Sequence, residues 1–366
     1  MDLVKLVRRV DFILILAVIA LVCYGTLMVY SATYPQETQD PYYYLKRQIT
    51  WVILGILVVV TISCLDYNWL RPYTIPIYIL NIILLTSVFF VGRSPLGAQR
   101  WIPIGFFLFQ PSEFAKAMLI ITLSAFLASR RGEITSAKDL SLAFAHIALP
   151  LILIFKQPDL GTALVLVAIL MGMLLVAGTS LRNYVIIIAI GVLICFLIIH
   201  FNLLKDYQMK RLIVYLNPDI DPLGAGYHLL QSKIAIGSGG FFGKGLFSGS
   251  QTNLRFVPAH HTDFIFAVIG EELGFLGAAI LLGLYSVIIA RGIRIATTAR
   301  NLFGTLMAIG VVSMWLFQIL VNVGMNLGIM PITGIPLPFI SYGGSSMITN
   351  LIATGLLLNI YARRFK

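Results

Sequence analysis

The stretch VPAHHTDFIFAVIGEELGF, residues 257–275, puts Asp263 at the head of an apolar run and Glu271 and Glu272 inside it. A carboxylate at a water boundary can take a proton from a hydroxyl, whereas one at mid-bilayer costs about 2.5–3.5 kcal/mol and is rarely idle. At roughly 100° per residue, Glu271 lies about 80° and Glu272 about 180° around the helix from Asp263, and both sit roughly 12 Å deeper. That phase leaves Ala267, Gly270 and Gly274 as a small-residue track below Asp263 and turns Glu272 toward a neighbouring helix. Chemistry is therefore expected of Asp263 and structure of the two glutamates. Its place at the start of the run also predicts that Asp263 caps the helix.

Two further acids stand where a use is expected. In QPSEFAKAM, Glu113 and Lys116 are spaced i, i+3 and share a helix face, as a structural ion pair or as the polarised wall of a cavity. In FKQPDLGT, Asp159 follows Pro158 where a new helix begins, a capping position. Arg47, Arg100 and Lys233 lie in segments on the same side as these acids, a set suited to an anionic group such as a diphosphate near lipid headgroups.

Other motifs fail their chemical tests. GSGGFFGKGL, residues 237–246, is no phosphate loop, because Lys244 is followed by Gly245 and Phe242 stands where GxGxxG needs its last glycine. It predicts a turn that lets backbones approach closely. His260 and His261 beside Asp263 find no third histidine or cysteine cluster to complete a metal site.

The elements that position these groups are membrane helices. Of 366 residues, 59% are apolar and 11% charged, and the mean hydropathy is +0.92, which excludes a soluble globular chain. Apolar runs long enough to cross a bilayer fall at about 12–30, 48–64, 73–91, 112–129, 140–156, 160–178, 184–201, 263–290, 302–326 and 341–361. The first lacks a small-residue cleavage site and is read as a retained helix. The expected fold is all-α and polytopic, one integral membrane domain over residues 1–366, with a long extracytoplasmic loop at about 202–262 between spans seven and eight. The net charge of +11 is topological and calls for no nucleic acid: Lys and Arg concentrate in the short loops on the side of both termini, which predicts cytoplasmic termini. Pro331, Pro336, Pro338 and the Gly343–Gly344 pair interrupt helix at membrane depth and predict a re-entrant segment beside a cavity.

Five segments, GAQRWIPIGFFLFQPSEFAK, QPDLGTAL, DPLGAGYHLLQSKIAIGSGGFFGKGL, HTDFIFAVIGEELGF and NVGMNLGIMPITGIPLPFISYGGSS, resemble in this order the SEDS (shape, elongation, division, sporulation) family, most closely its RodA branch. The resemblance spans nearly the whole chain. It implies a ten-span fold and a peptidoglycan glycosyltransferase that polymerises lipid II into a nascent glycan strand on the outer leaflet, with a class B penicillin-binding protein and the elongation machinery as partners. It places the essential carboxylate on Asp263 and marks Glu113, Lys116 and Asp159 as sensitive. It also brings a dependence on a divalent cation, Mg or Mn, whose ligands the sequence does not identify. On this reading Asp263 is the general base, and Arg47, Arg100 or Lys233 meets the leaving diphosphate. The alternatives are a lipid II flippase, a non-catalytic scaffold, or an FtsW-like division polymerase.

Overall fold

The computed structural model describes residues 10–34, 40–92, 100–105, 107–130, 134, 136–201, 203–204, 206–217, 220–221, 224–253 and 261–364. His260 lies outside the described residues. Among the described residues ten helices form the bundle: α1 (Phe12–Thr33), α2 (Tyr43–Cys64), α3 (Thr74–Val91), α4 (Pro111–Ser129), α5 (Ala137–Lys156), α6 (Leu160–Val176) and α7 (Leu181–His200), then, after two shorter helices α8 (Asp206–Leu216) and α9 (Ala225–Gly239), α10 (Ile265–Thr297), α11 (Leu302–Leu327) and α12 (Gly344–Ala362). Nine of the ten are long and apolar enough to cross a membrane, and α6, with 17 residues, is a shorter apolar helix packed inside the bundle. The tight FKQPDLGT junction is thus a true break between two helices.

Side-chain caps fix several of the starts. Asp11, Ser136, Asp159, Ser180 and Asn301 each accept a backbone N–H from the first turn of the following helix. The centre of the bundle is built from α4, α11 and α12, whose buried faces meet around Trp315, Phe303 and Lys116, while α7 has no buried residue and lies at the periphery. Asp11 at one end pairs with Arg291 of α10 and ties α1 to it.

The expected loop at 202–262 carries real structure, since α8 and α9 occupy much of it and α9 packs along α10. A second element was not expected either. Ile102–Ile104 and Phe107–Phe109 form an antiparallel hairpin, with Ile102 opposite Phe109, around Gly105 at a φ of +58°. Phe107 stacks near Trp51 of α2 at 4.3 Å, which holds the hairpin to the bundle between Arg100 and Gln110.

Helix α10 is not straight. Gly274 has a φ of +63° and a ψ of −159° and splits it into two rods. The backbone groups freed by this break are taken up by the glycine-rich turn: Lys244 and Gly245 donate N–H groups to the carbonyls of Glu271 and Glu272 at 3.0 and 2.9 Å. In return Phe275 and Leu276 donate to the carbonyls of Gly240 and Phe241 at 2.9 and 3.1 Å. An unsatisfied peptide group in hydrocarbon costs several kcal/mol, so the break and the turn stand together. The small-residue track of Gly270 and Gly274 that helical phase predicts below Asp263 is the seat of Ile236 of α9 and of Gly239, Gly240 and Gly243, which pack directly on it.

Candidate functional site

The non-helical segment 328–343 runs from an exposed start at Ile329 into the bundle, where Leu337, Phe339 and Ile340 are buried, and is pinned from four sides. Asn322 of α11 donates to the carbonyl of Ile335 (2.8 Å), Tyr285 of α10 to that of Pro338 (2.6 Å), Ser341 to that of Thr262 (2.7 Å), and the N–H of Tyr342 to His261 (2.9 Å). Gly25 of α1 lies directly against Phe339 and Ile340. Irregular backbone is thereby satisfied within protein.

Asp263 sits on the turn that this segment grips. It does not cap α10: the N-cap is Phe264, and no side chain closes that end. The Asp263 carbonyl instead accepts from Asn322 and Asn326 at 3.0 and 3.1 Å, which fixes the backbone and leaves the carboxylate to its surroundings. A methyl group placed on Gly334 would meet Asp263 Oδ2 at 3.3 Å and Arg211 Nη1 at 3.5 Å. Gly334, at a φ of +73°, is therefore the floor on which an acid and a guanidinium come together. Burial pushes the Asp263 carboxyl above the usual carboxylate range; Arg211 and then Arg100 pull it back, and the charge of Asp159 adds to the rise.

Asp159 carries more than a cap. Its Oδ1 accepts the N–H of Thr162 at 3.2 Å, and its Oδ2 accepts from Thr162 Oγ1 (3.0 Å), Ser112 (3.2 Å) and Gln110 (3.4 Å). Arg100 stands 3.7 Å from Oδ1 and is held by the carbonyls of Gln157 and Pro158. One turn into α4, Lys116 and Glu113 form the expected pair at 2.8 Å, and both are buried. Gln110 also donates its N–H to Ser345 at 3.0 Å, which joins the hairpin to α12.

The other two cations stand apart in different ways. Arg47 lies 4.6 Å over the Tyr43 ring and its charge acts on Tyr342, whose ring neighbours Tyr44 and His261; it borders the turn of Asp263 through an aromatic layer. Lys233 is exposed on α9, with its aliphatic end crossing Gly328, the left-handed C-cap of α11, where a cation complements the helix terminus. The two glutamates have structural partners: Lys244 reaches Glu271 at 2.8 Å, and Ser31 of α1 donates to Glu272.

Sequence reasoning missed Arg211, Gln110, Ser112 and Asn322. Arg211 lies in DYQMKRLIVYL, whose charges look like those of any solvated helix until α8 is seen against the non-helical segment 328–343, to which Tyr215 donates a hydrogen bond at Ile329 (2.8 Å). For a divalent cation, no group of three or more His, Cys, Asp or Glu side chains converges among the described residues, and the two carboxylates of the site already face guanidinium groups. This donor set does not fit a protein-held divalent ion, and no step below runs through one.

The helices and this centre define a multi-pass membrane protein that concentrates ionisable groups at one end of its bundle. A family model described as cell cycle protein, covering FtsW, RodA and SpoVE, matches residues 12–365. The chain belongs to this SEDS family. It is similar to the peptidoglycan glycosyltransferase MrdB of Escherichia coli K12, at 40% identity over 360 residues, 97% of this chain and 94% of that one. It is also similar to a probable peptidoglycan glycosyltransferase FtsW of Trichlorobacter lovleyi, at 38% identity over 96% of this chain and 93% of that one. A solved chain from a peptidoglycan synthase complex that coordinates polymerization and crosslinking superposes with a TM-score of 0.84 at 33% identity, over 98% of this chain and 99% of that one.

Proposed function

We propose that this protein is a peptidoglycan glycosyltransferase that joins lipid II units into glycan strands at the outer face of the cytoplasmic membrane. The observation that carries the reading is the placement of Asp263 beside Arg211 at Gly334, within the field of Arg100 and Asp159, at one end of a largely apolar bundle. Relatives matched over nearly their full length carry that activity in their names. Orientation follows from the short basic loops: both termini lie in the cytoplasm and Asp263 faces outward.

Asp263 acts as general base. It takes the proton from the 4-hydroxyl of the acceptor sugar as that oxygen forms a bond to the anomeric carbon of the donor. The anomeric carbon–oxygen bond breaks, and its electron pair leaves on undecaprenyl diphosphate. A positioned base contributes about 10²- to 10⁴-fold. Fixed guanidinium charge, from Arg100 first, meets the leaving group without reorganisation. Glu113 and Lys116 line the inner wall, Arg47 and Lys233 the approach of the substrate's anionic group. The elongation role, with a class B penicillin-binding protein as crosslinking partner, is supported by likeness to RodA relatives and to a chain of a synthase complex.

The test is polymer formation from lipid II in detergent by the purified protein with its partner, wild type against Asp263→Ala. Loss of polymer by at least about 100-fold in the variant is expected. Polymerisation by Asp263→Ala at the wild-type rate ends the assignment. Movement of labelled lipid II across proteoliposomes without polymer would favour the flippase reading.

A further inference from the structure

Two carboxylates, Asp159 and Asp263, and two guanidiniums, Arg100 and Arg211, form the centre of the site. With all four ionised the centre is neutral. The two arginines are held differently. Arg100 is anchored by two backbone carbonyls and by Asp159, on the rigid start of α6. Arg211 reaches in from α8, an amphipathic helix of the long segment between spans, and its Nη1 and the Asp263 carboxylate both border Gly334, with the Arg211 charge acting on that carboxylate. Its charge also reaches His228, which is held below its usual range by burial and then by Arg211, with Asp221 acting in the opposite direction. Asp263 is faced by Arg211 from α8, Arg100 beside the hairpin and Asp159 from α6, while His261 of its own turn lies against Tyr44 and Tyr342.

We propose that Arg211 is the counter-ion of the Asp263 carboxylate and passes to the departing diphosphate when Asp263 takes up the acceptor's proton. The proposal rests on the glycosyltransferase reading above. The charges balance at each stage. Proton transfer from the 4-hydroxyl makes Asp263 neutral and leaves Arg211 without its anion. In the same event the broken anomeric bond delivers a negative charge to the diphosphate. A guanidinium fork then finds a phosphate in place of a carboxylate, two anions whose geometry it fits equally. Arg100, tied to backbone and to Asp159, stays fixed and serves both states.

Three preparations test this in complex with the partner: wild type, Arg211→Lys and Arg211→Gln. The first readout needs no turnover. An infrared difference titration against Asp263→Asn follows the carboxyl of Asp263 in the absence of lipid II. Its midpoint is expected to move to higher pH in Arg211→Gln and to return most of the way in Arg211→Lys. The second readout is inhibition of polymerisation by added undecaprenyl diphosphate, expected to weaken about tenfold or more in Arg211→Gln, the loss of one charge-assisted phosphate contact. An unmoved midpoint would mean that Arg211 is not the counter-ion of Asp263 and would overturn the proposal. So would unchanged product inhibition. Equal displacement of the midpoint in the Lys and Gln variants overturns it too, since a merely structural defect would not be rescued by charge. If wild type forms no polymer while the midpoint still moves, the glycosyltransferase reading fails and the ion pair stands.

Discussion

At the scale of single residues, the site keeps a carboxylate where water is scarce. The folded-state carboxyl of Asp263 lies above the range it has in the unfolded chain, because burial outweighs its arginines. The folded state therefore binds the proton more tightly, so stability falls as pH rises through the interval between the two values. Asp263→Asn removes that cost. It should abolish polymerisation and yet raise the midpoint of thermal unfolding at neutral pH, and the gain should vanish in acid, where both states of the wild type are protonated. A variant no more stable than wild type at pH 7 would contradict the argument. Glu113 and Lys116 give the opposite case, a buried pair that is neutral only as a pair. Lys116→Met alone strands a buried carboxylate and is expected to cost about 3–5 kcal/mol, while Glu113→Gln with Lys116→Met recovers most of it. Denaturation in detergent reads both. Activity that stays lost in the recovered double variant separates a role in the cavity from a purely structural one.

At the scale of elements, the break in α10 joins two parts of the chain 27 to 35 residues apart in sequence. Gly243, at a φ of +80°, packs on the carbonyl of Glu272, and Gly274 packs on the N–H of Gly243. Alanine at either position adds a methyl group to a filled space and forces a left-handed backbone, which alone costs about 1–2 kcal/mol. Gly283→Ala, in the same helix with open space around it, should be neutral or gain up to about 1 kcal/mol. Equal unfolding midpoints for Gly274→Ala and Gly283→Ala would refute the lock. Nine spans and the shorter apolar α6 were legible because an apolar run of helical length has few other uses, and the glycine motif was legible as a close turn because its phosphate-loop residues are missing. The break itself was not, since Gly274 looks like a packing glycine until a second segment supplies its hydrogen bonds. For the same reason the expected cap at Asp263 failed: two asparagines of α11 take its carbonyl, and α10 begins one residue later. The acids Glu113, Asp159 and Asp263 stood out against an apolar background, whereas Arg211 did not, one cation among several on polar connections.

At the scale of the whole molecule, charge divides the two ends of the bundle. The end that holds Asp263 collects the hairpin, α8, α9 and the non-helical segment 328–343, while the opposite end is closed by short connections and helix ends bearing Arg71, Arg130, Lys138, Arg294 and Arg300. Short basic loops are retained on the cytoplasmic side during insertion, so the proposed orientation, with Asp263 outward, is the one this asymmetry predicts. The consequence is measurable one residue at a time. Lys46 and Lys138 are both exposed, at opposite ends, and the three cysteines, Cys23, Cys64 and Cys195, are free and can be replaced by alanine. In that background Lys46→Cys should react with a membrane-impermeant maleimide on intact cells, whereas Lys138→Cys should react only after permeabilisation. The reverse pattern would place the site in the cytoplasm and remove the outward-facing glycosyltransferase with it. Labelling of both positions on intact cells would mean that the basic loops do not set a single orientation, which no odd number of spans could repair, because the two positions are separated by α2, α3 and α4 in one continuous bundle.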